Sequence, residues 1–171
     1  MNMFCFQCQE TARGTGCTVK GVCGKEPQTA AYMDLLLYAV RGIAIVNRTL
    51  REKGTAHNEI DHFVLDALFC TITNANFDDE AIIVRIKKAF EIKNILVGTA
   101  KKRNIALPDM PEVAYFVSEE NYLAEAAEVG VLSEPNEDLR SLKQMVIYGV
   151  KGAAAYTEHA LNLGFEDHDI Y

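Results

Sequence analysis

Four of the chain's five cysteines lie in the stretch FCFQCQETARGTGCTVKGVC, Phe4 to Cys23, and they restrict that segment to a narrow choice of structures. Two residues separate Cys5 from Cys8, eight separate Cys8 from Cys17, and five separate Cys17 from Cys23. The surroundings hold Gly14, Gly16, Gly21 and Gly24 and little helical or strand periodicity. Glycine supplies positive φ and close backbone approach, so residues 1–26 read as an irregular Cys-rich loop wrapped around a small object. Four thiolates so placed can converge on one tetrahedral ion or on the corners of one cluster. Sulfur ligation suits zinc or iron and sulfur rather than harder metals. Zinc ribbons usually pair two short CxxC knuckles, and only Cys5 and Cys8 form one here. The spacing favours iron and sulfur and leaves zinc as the alternative.

Compartment bears on that choice. The chain has 24 acidic against 17 basic residues, a net charge of −7, and no basic stripe, which argues against nucleic acid as a partner. Its longest aliphatic or aromatic run, LLLYAV from Leu35 to Val40, is too short to cross a bilayer. The opening MNMFCFQCQE lacks a basic n-region and an apolar h-region. These features predict a cytoplasmic protein with no membrane partner, in a reducing environment where structural disulfides are disfavoured. The odd cysteine count points the same way.

Beyond the loop the sequence reads as all-α. Pro27 suits a first helical position, and Tyr32, Leu36, Ala39, Val40, Ile43, Val46 and Leu50 recur at helical spacing before Gly54 stops the helix. Asn58 is placed to cap a second helix reaching about Thr71. Asp78 is placed to cap a third, from about Asp79 to Arg103, with Ile82, Ile83, Ile86, Phe90 and Ile95 on its inner side. These predict a three-helix bundle over residues 27–103. Residues 104–117, with Pro108 and Pro111, read as a linker, and residues 118–171 as a second bundle. That second unit starts with a short helix from Ser118 to about Val129. It continues in a long one between Asn136 and Gly164. The closing FEDHDIY is a helix start without a body, which reads as a truncated bundle or as an acidic tail.

VIYGVKGAA, Val146 to Ala154, aligns with LLYAVRGIA, Leu36 to Ala44, which raises a repeat of two related bundles. Gly42 with Ala44, and Gly152 with its following alanines, are expected to let another helix approach. Lys20, Lys25 and Arg13 stand near the cysteines, either as surface charges or as groups stabilising an anionic cluster. The start of the Pro27 helix adds its positive end there. Phe4 and Phe6 read first as the anchor that docks the loop. His57, His62, His159 and His168 read as surface or core residues, and Cys70 as a buried small hydrophobe.

The segment FCFQCQETARGTGCTVKGVCGKEPQTAAYMDLLLYAVRGIA, Phe4 to Ala44, closely resembles the N-terminus of the hybrid cluster proteins, the prismane or hydroxylamine reductase family. The similarity covers the four-cysteine spacing, TGCT, GVCGK and the helix that follows. It continues more loosely through VIYGVKGAAAYTEHA and LGFEDHDIY. The resemblance implies an N-terminal domain of three-helix bundles whose four cysteines hold a cluster near the surface. The tighter of the family's two spacings, matched by Cys5, Cys8, Cys17 and Cys23, goes with a 4Fe-4S cubane and the wider one with 2Fe-2S. It further implies a relay that takes electrons from a soluble donor. The electrons pass toward a hybrid-cluster active site whose His, Glu and Cys ligands come from later domains. On this reading the chain belongs to an oxidoreductase but carries no catalytic residue of its own, and it needs the remaining domains or a protein partner. The alternatives are a stand-alone redox carrier or sensor and a structural zinc-binding interaction module.

Overall fold

The computed structural model describes residues 3–55, 58–72 and 75–170, and its architecture grows from one apolar helix. Helix α1 spans Pro27–Arg51, with Pro27 at its first turn, where the missing N–H costs no hydrogen bond. Leu35, Leu36, Ala39, Ile43, Val46 and Leu50 along it have no exposed surface. By length and composition α1 passes for a membrane span, yet 67% of its apolar stretch is buried inside the fold. Gly54, at φ 78°, ends the reversal beyond it.

Helix α2, Asn58–Cys70, returns antiparallel, tied by the Arg51–Asp61 ion pair and by Asn47 Nδ2 donating to Asp61 at 3.2 Å. The cap expected at Asn58 rests on a side chain outside the described residues, as do His57 and the side chain of His168. Helix α3, Asp79–Lys102, starts where expected, with the Asp78 carboxylate accepting from the N–H groups of Glu80 and Ala81. It runs parallel to α1. Thr29 Oγ1 donates to Asp79 at 2.7 Å where both helices begin, and the Arg103 guanidinium donates to Thr55 where both end. The inner stripe of α3 is Ile82, Ile86, Ala89, Phe90, Lys93, Leu96 and Ala100. Ile95, expected on that stripe, is 64% exposed, because Lys93 and Leu96 take the inward positions in that turn.

Residues 104–117 contain a short helix α4, Pro111–Ala114, which lies on α1. Two devices hold it. A Cβ on Gly42 would stand 2.3 Å from the Glu112 carbonyl oxygen, so only glycine permits this approach. Lys93, wholly buried, donates from Nζ to the carbonyls of Glu112, at 2.9 Å, and Tyr115. Its ammonium also lies 4.4 Å from the centre of the Phe116 ring. Burial lowers its pKa to about 8. Helix α5, Tyr122–Val129, follows and packs on α1; Tyr122, Ala126 and Val129 join the same core as α1 and α3.

The last long helix, α6, spans Glu137–Asn162, capped by Asn136 Oδ1, which accepts from the Leu139 N–H at 2.9 Å, and is followed by Gly164 at φ 80°. It lies antiparallel on α2. Lys151 Nζ reaches the Thr71 carbonyl at one end, and at the other His62 of α2 meets Glu166, beyond the C-terminus of α6. Among its described residues α6 buries Lys151, Ala154 and Thr157, and it leaves Leu139, Leu142, Met145, Val146, Tyr148, Val150 and Tyr156 exposed. The close approach expected at Gly152 does not occur: nothing stands within 4 Å of a Cβ built there. Among the described residues there is no strand, only an isolated two-residue bridge in the cysteine loop.

The two glycines generate opposite predictions. Gly42→Ala forces the Glu112 carbonyl off α1 and is expected to cost about 1–3 kcal/mol in urea unfolding. Gly152→Ala adds only helix propensity and is expected to stabilise by up to about 1 kcal/mol. Equal effects at the two sites would contradict this account of α4 docking.

Candidate metal centre

The cysteine loop is built on one pair of strand-like residues. Cys5 and Cys17 face each other, the Cys5 N–H donating to the Cys17 carbonyl at 3.1 Å and the Cys17 N–H to the Cys5 carbonyl at 2.8 Å. Between them the chain turns through Arg13 at φ 57°, Gly14 at φ 69° and Gly16 at φ 146°. At Gly16 a side chain is excluded twice over, since a Cβ would also lie 2.7 Å from the Phe4 ring. Met3, Cys17 and Ala30 form a small buried cluster that fixes the loop to the start of α1. Phe4 is half-buried over Gly16 and its ring lies 5.4 Å from that of Phe6, which stays exposed. Met3 is therefore the buried anchor, and Phe4 only covers the turn.

The thiols differ in their surroundings. Cys17 is buried, yet its Sγ lies 3.5 Å from the Ala12 N–H and 3.7 Å from Thr11 Oγ1. The backbone N–H groups of Ala12 and Val22 outweigh burial and lower its pKa, with smaller help from Thr11 and Lys25. Cys8 and Cys23 line the mouth of an open cavity of about 840 Å³, whose other wall is α6 at Tyr148, Lys151, Tyr156 and His159. Gly21 keeps that side clear, because a Cβ there would meet Cys23 Sγ at 3.1 Å. Cys70 is apart from all four. It is buried at the end of α2, where burial raises its pKa and Asn76 Nδ2 donates to its sulfur at 3.6 Å.

The sequence model of the Prismane/CO dehydrogenase family matches residues 3–171. The chain belongs to that family. It is 54% identical over 171 residues to a hydroxylamine reductase of Bacteroides thetaiotaomicron, covering 100% of this chain and 31% of that protein. It is 51% identical over 172 residues to a hydroxylamine reductase of Bacteroides fragilis, with the same coverage. A third hydroxylamine reductase, from Desulfitobacterium hafniense, is 47% identical over 174 residues, covering 100% of this chain and 32% of that protein. This member of the family thus spans about a third of the length of the relatives it matches.

The donor set fits a group that takes soft sulfur ligands. All five cysteines are free thiols, and one of the four in the loop already receives hydrogen bonds at its sulfur, as a thiolate requires. Among the described residues no three Cys, His, Asp or Glu side chains gather closely enough to hold one metal ion. His62 pairs with Glu166 at 2.9 Å, and His159 lies edge-on to Phe69 on the exposed side of α6.

Asp34 and Lys151 beside the loop escaped the sequence reading, and of the three basic residues it named there only Lys25 is buried. Lys25 is not a surface charge: it is 2% exposed, whereas Arg13 is exposed and Lys20 pairs with Glu26 at the surface. Lys151, from α6, is 4% exposed. Asp34 lies in α1 beside the loop and accepts from the Val131 N–H at 3.4 Å, and burial raises its pKa to about 6. Only the alignment of Lys151 with Arg41 drew attention to it, and that signal carries no information about burial.

These environments order the thiols. In the metal-free chain a maleimide reagent is expected to modify Cys23 and Cys8 first and Cys17 later. Cys70 is expected to react only as the fold opens, with each site read by peptide mass spectrometry. Modification of Cys70 ahead of Cys23 would show that the bundle, and not the loop, is the more open part.

Proposed function

We propose that the chain is the iron-sulfur electron-transfer part of an oxidoreductase of the hydroxylamine reductase type. Cys5, Cys8, Cys17 and Cys23 hold a 4Fe-4S cluster, which supplies a one-electron store close to the surface. The cluster is charged by a soluble electron donor, in the cytoplasm, and serves a catalytic centre that lies in the remaining domains of the reductase or on a protein partner. The observation that carries this reading is the loop itself. Two cysteines are locked face to face by backbone hydrogen bonds, and two more border an open cavity beside them.

Three further points support it. The relatives bear the name hydroxylamine reductase, a reductive activity that needs electrons delivered. Four free cysteines on one loop, one of them hydrogen-bonded at its sulfur by a backbone N–H, suit a group that takes thiolate ligands. The exposed apolar side chains of α6, next to the cavity, suit a surface against which another protein part rests.

The chain's own residues have the plainer tasks. Ala12, Val22 and Thr11 favour the thiolate at Cys17, Met3 and Ala30 hold the loop to α1, and Gly16 and Gly21 keep space free beside the sulfurs. None of them is placed to reduce hydroxylamine. Turnover is accordingly expected only with the additional domains present.

Anaerobic loading with iron and sulfide is expected to give about four of each per chain and a brown absorbance that bleaches with dithionite. Cys17→Ala and Cys23→Ala are expected to lose the colour while keeping the helical circular dichroism, since the bundle core lies elsewhere. One zinc per chain with no iron uptake overturns the electron-transfer reading in favour of a structural zinc module.

A further inference from the structure

Two lysines lie beneath the cysteine loop, and neither reaches bulk water: Lys25 is 2% and Lys151 4% exposed. Burying an ammonium is costly unless partners replace its hydration, so such lysines call for an explanation. The hydrogen-bond partners of Lys151 are neutral. Its Nζ donates to the Thr71 carbonyl at 3.0 Å. With the Gln7 amide oriented to suit its neighbours, Nζ also donates to the Gln7 side-chain oxygen at 2.9 Å, while the Gln7 nitrogen donates to the same Thr71 carbonyl at 3.2 Å. Gln7 stands between Cys5 and Cys8 in sequence, so this contact ties α6 and the end of α2 to the loop's CxxC turn.

The surrounding charges do not balance. Lys25 and Lys151 both act on the carboxylate of Asp34. Two ammoniums and, more weakly, the Arg41 guanidinium therefore share one acid, and the surplus positive charge lies beside the cysteine loop. Burial, and after it Lys25, lower the pKa of Lys151 to about 8 against the pull of Asp34 and of the sulfurs of Cys5 and Cys70. The same lysine borders the cavity that exposes Cys8 and Cys23. Lys151 is thus a buried cation that acts on Cys5 and shares a cavity wall with Cys8 and Cys23, while Cys17 lies within the field of Lys25.

We propose that Lys151 is the built-in counter-charge of the anionic group bound by Cys5, Cys8, Cys17 and Cys23, and that it sets how readily that group accepts an electron. The inference rests on the iron-sulfur reading above. A cluster on four thiolates is already an anion, and one electron from a one-electron donor makes it more negative by one unit, with no bond broken and no proton required. A cation held at fixed position in a poorly polarisable interior stabilises the reduced form more than the oxidised form. Lys151 acts through its field and through Gln7 and is a positioning residue, without bonding to the cluster.

The test is potentiometric titration of the iron-sulfide-loaded chain, followed by its visible absorbance. Lys151→Met is expected to lower the equilibrium constant for reduction about tenfold, a fall of about 59 mV for one electron. Lys151→Arg is expected to keep most of the original potential, and Lys102→Met, which removes an exposed charge from α3, to change nothing. Asp34→Asn, which removes the competing carboxylate, is expected to move the potential upward and reads the same field even where Lys151→Met folds poorly. Loaded variants that keep the wild-type potential, or an Asp34→Asn potential that stays or falls, overturn this inference and leave the electron-transfer reading intact. A wild-type chain that takes zinc and no iron overturns both.

Discussion

Helix α1 is the element on which the rest of the structure depends. Its six fully buried aliphatic and alanine positions are covered by α2, α3 and α5, so removing it would leave those helices without a common surface. Hydrophobic burial supplies the attraction but no direction. Direction comes from the small and polar positions along the same helix. Ala30 receives Met3 and Cys17 of the loop, Gly42 receives the Glu112 carbonyl, and Asp34 receives the Val131 N–H. Three separate stretches of chain are thereby placed by three positions, two small or polar side chains and one glycine, that contribute little apolar area themselves.

The helices were legible because their signals are local. Pro27, Asp78, Asn136 and Gly164 mark boundaries through backbone chemistry within a few residues, and each acts where expected. The inward face of α3 was only partly legible. Isoleucine at 82, 86 and 95 suggests one stripe, but at its middle the buried residue is a lysine, satisfied by carbonyls 19 and 22 residues farther along the chain. No local pattern announces that arrangement. The candidate ligands were legible from spacing, whereas Lys25 and Lys151 were not, since a lysine is recognised as buried only once its partners are known.

The loop divides its cysteines into two kinds, and the division has energetic content. Cys5 and Cys17 are held by reciprocal backbone bonds and by the small cluster at Ala30, so their positions are set before anything binds. Cys8 and Cys23 lie on the open side, Cys23 between Gly21, whose missing side chain clears its sulfur, and Gly24 at positive φ. Binding a ligand to four fully mobile thiols costs ordering entropy at every one of them. Two of the four are already ordered by the fold, so a ligand held by all four would meet a smaller ordering cost.

The paired stretches LLYAVRGIA and VIYGVKGAA show how far tertiary context overrides local likeness. Both are helical, yet Arg41 turns its guanidinium over the Tyr38 ring at 5.0 Å, while the aligned Lys151 is drawn inside to Thr71. Gly42 is pressed by a carbonyl, and the aligned Gly152 faces open space. The difference lies in what arrives from elsewhere. Residues 111–115 close over α1, whereas on α6 the corresponding side stands across a cavity from Cys8 and Cys23. The same sequence pattern therefore serves as a closed packing seam in one helix and as an open wall beside the candidate metal centre in the other, and it is the covering segment that decides between the two.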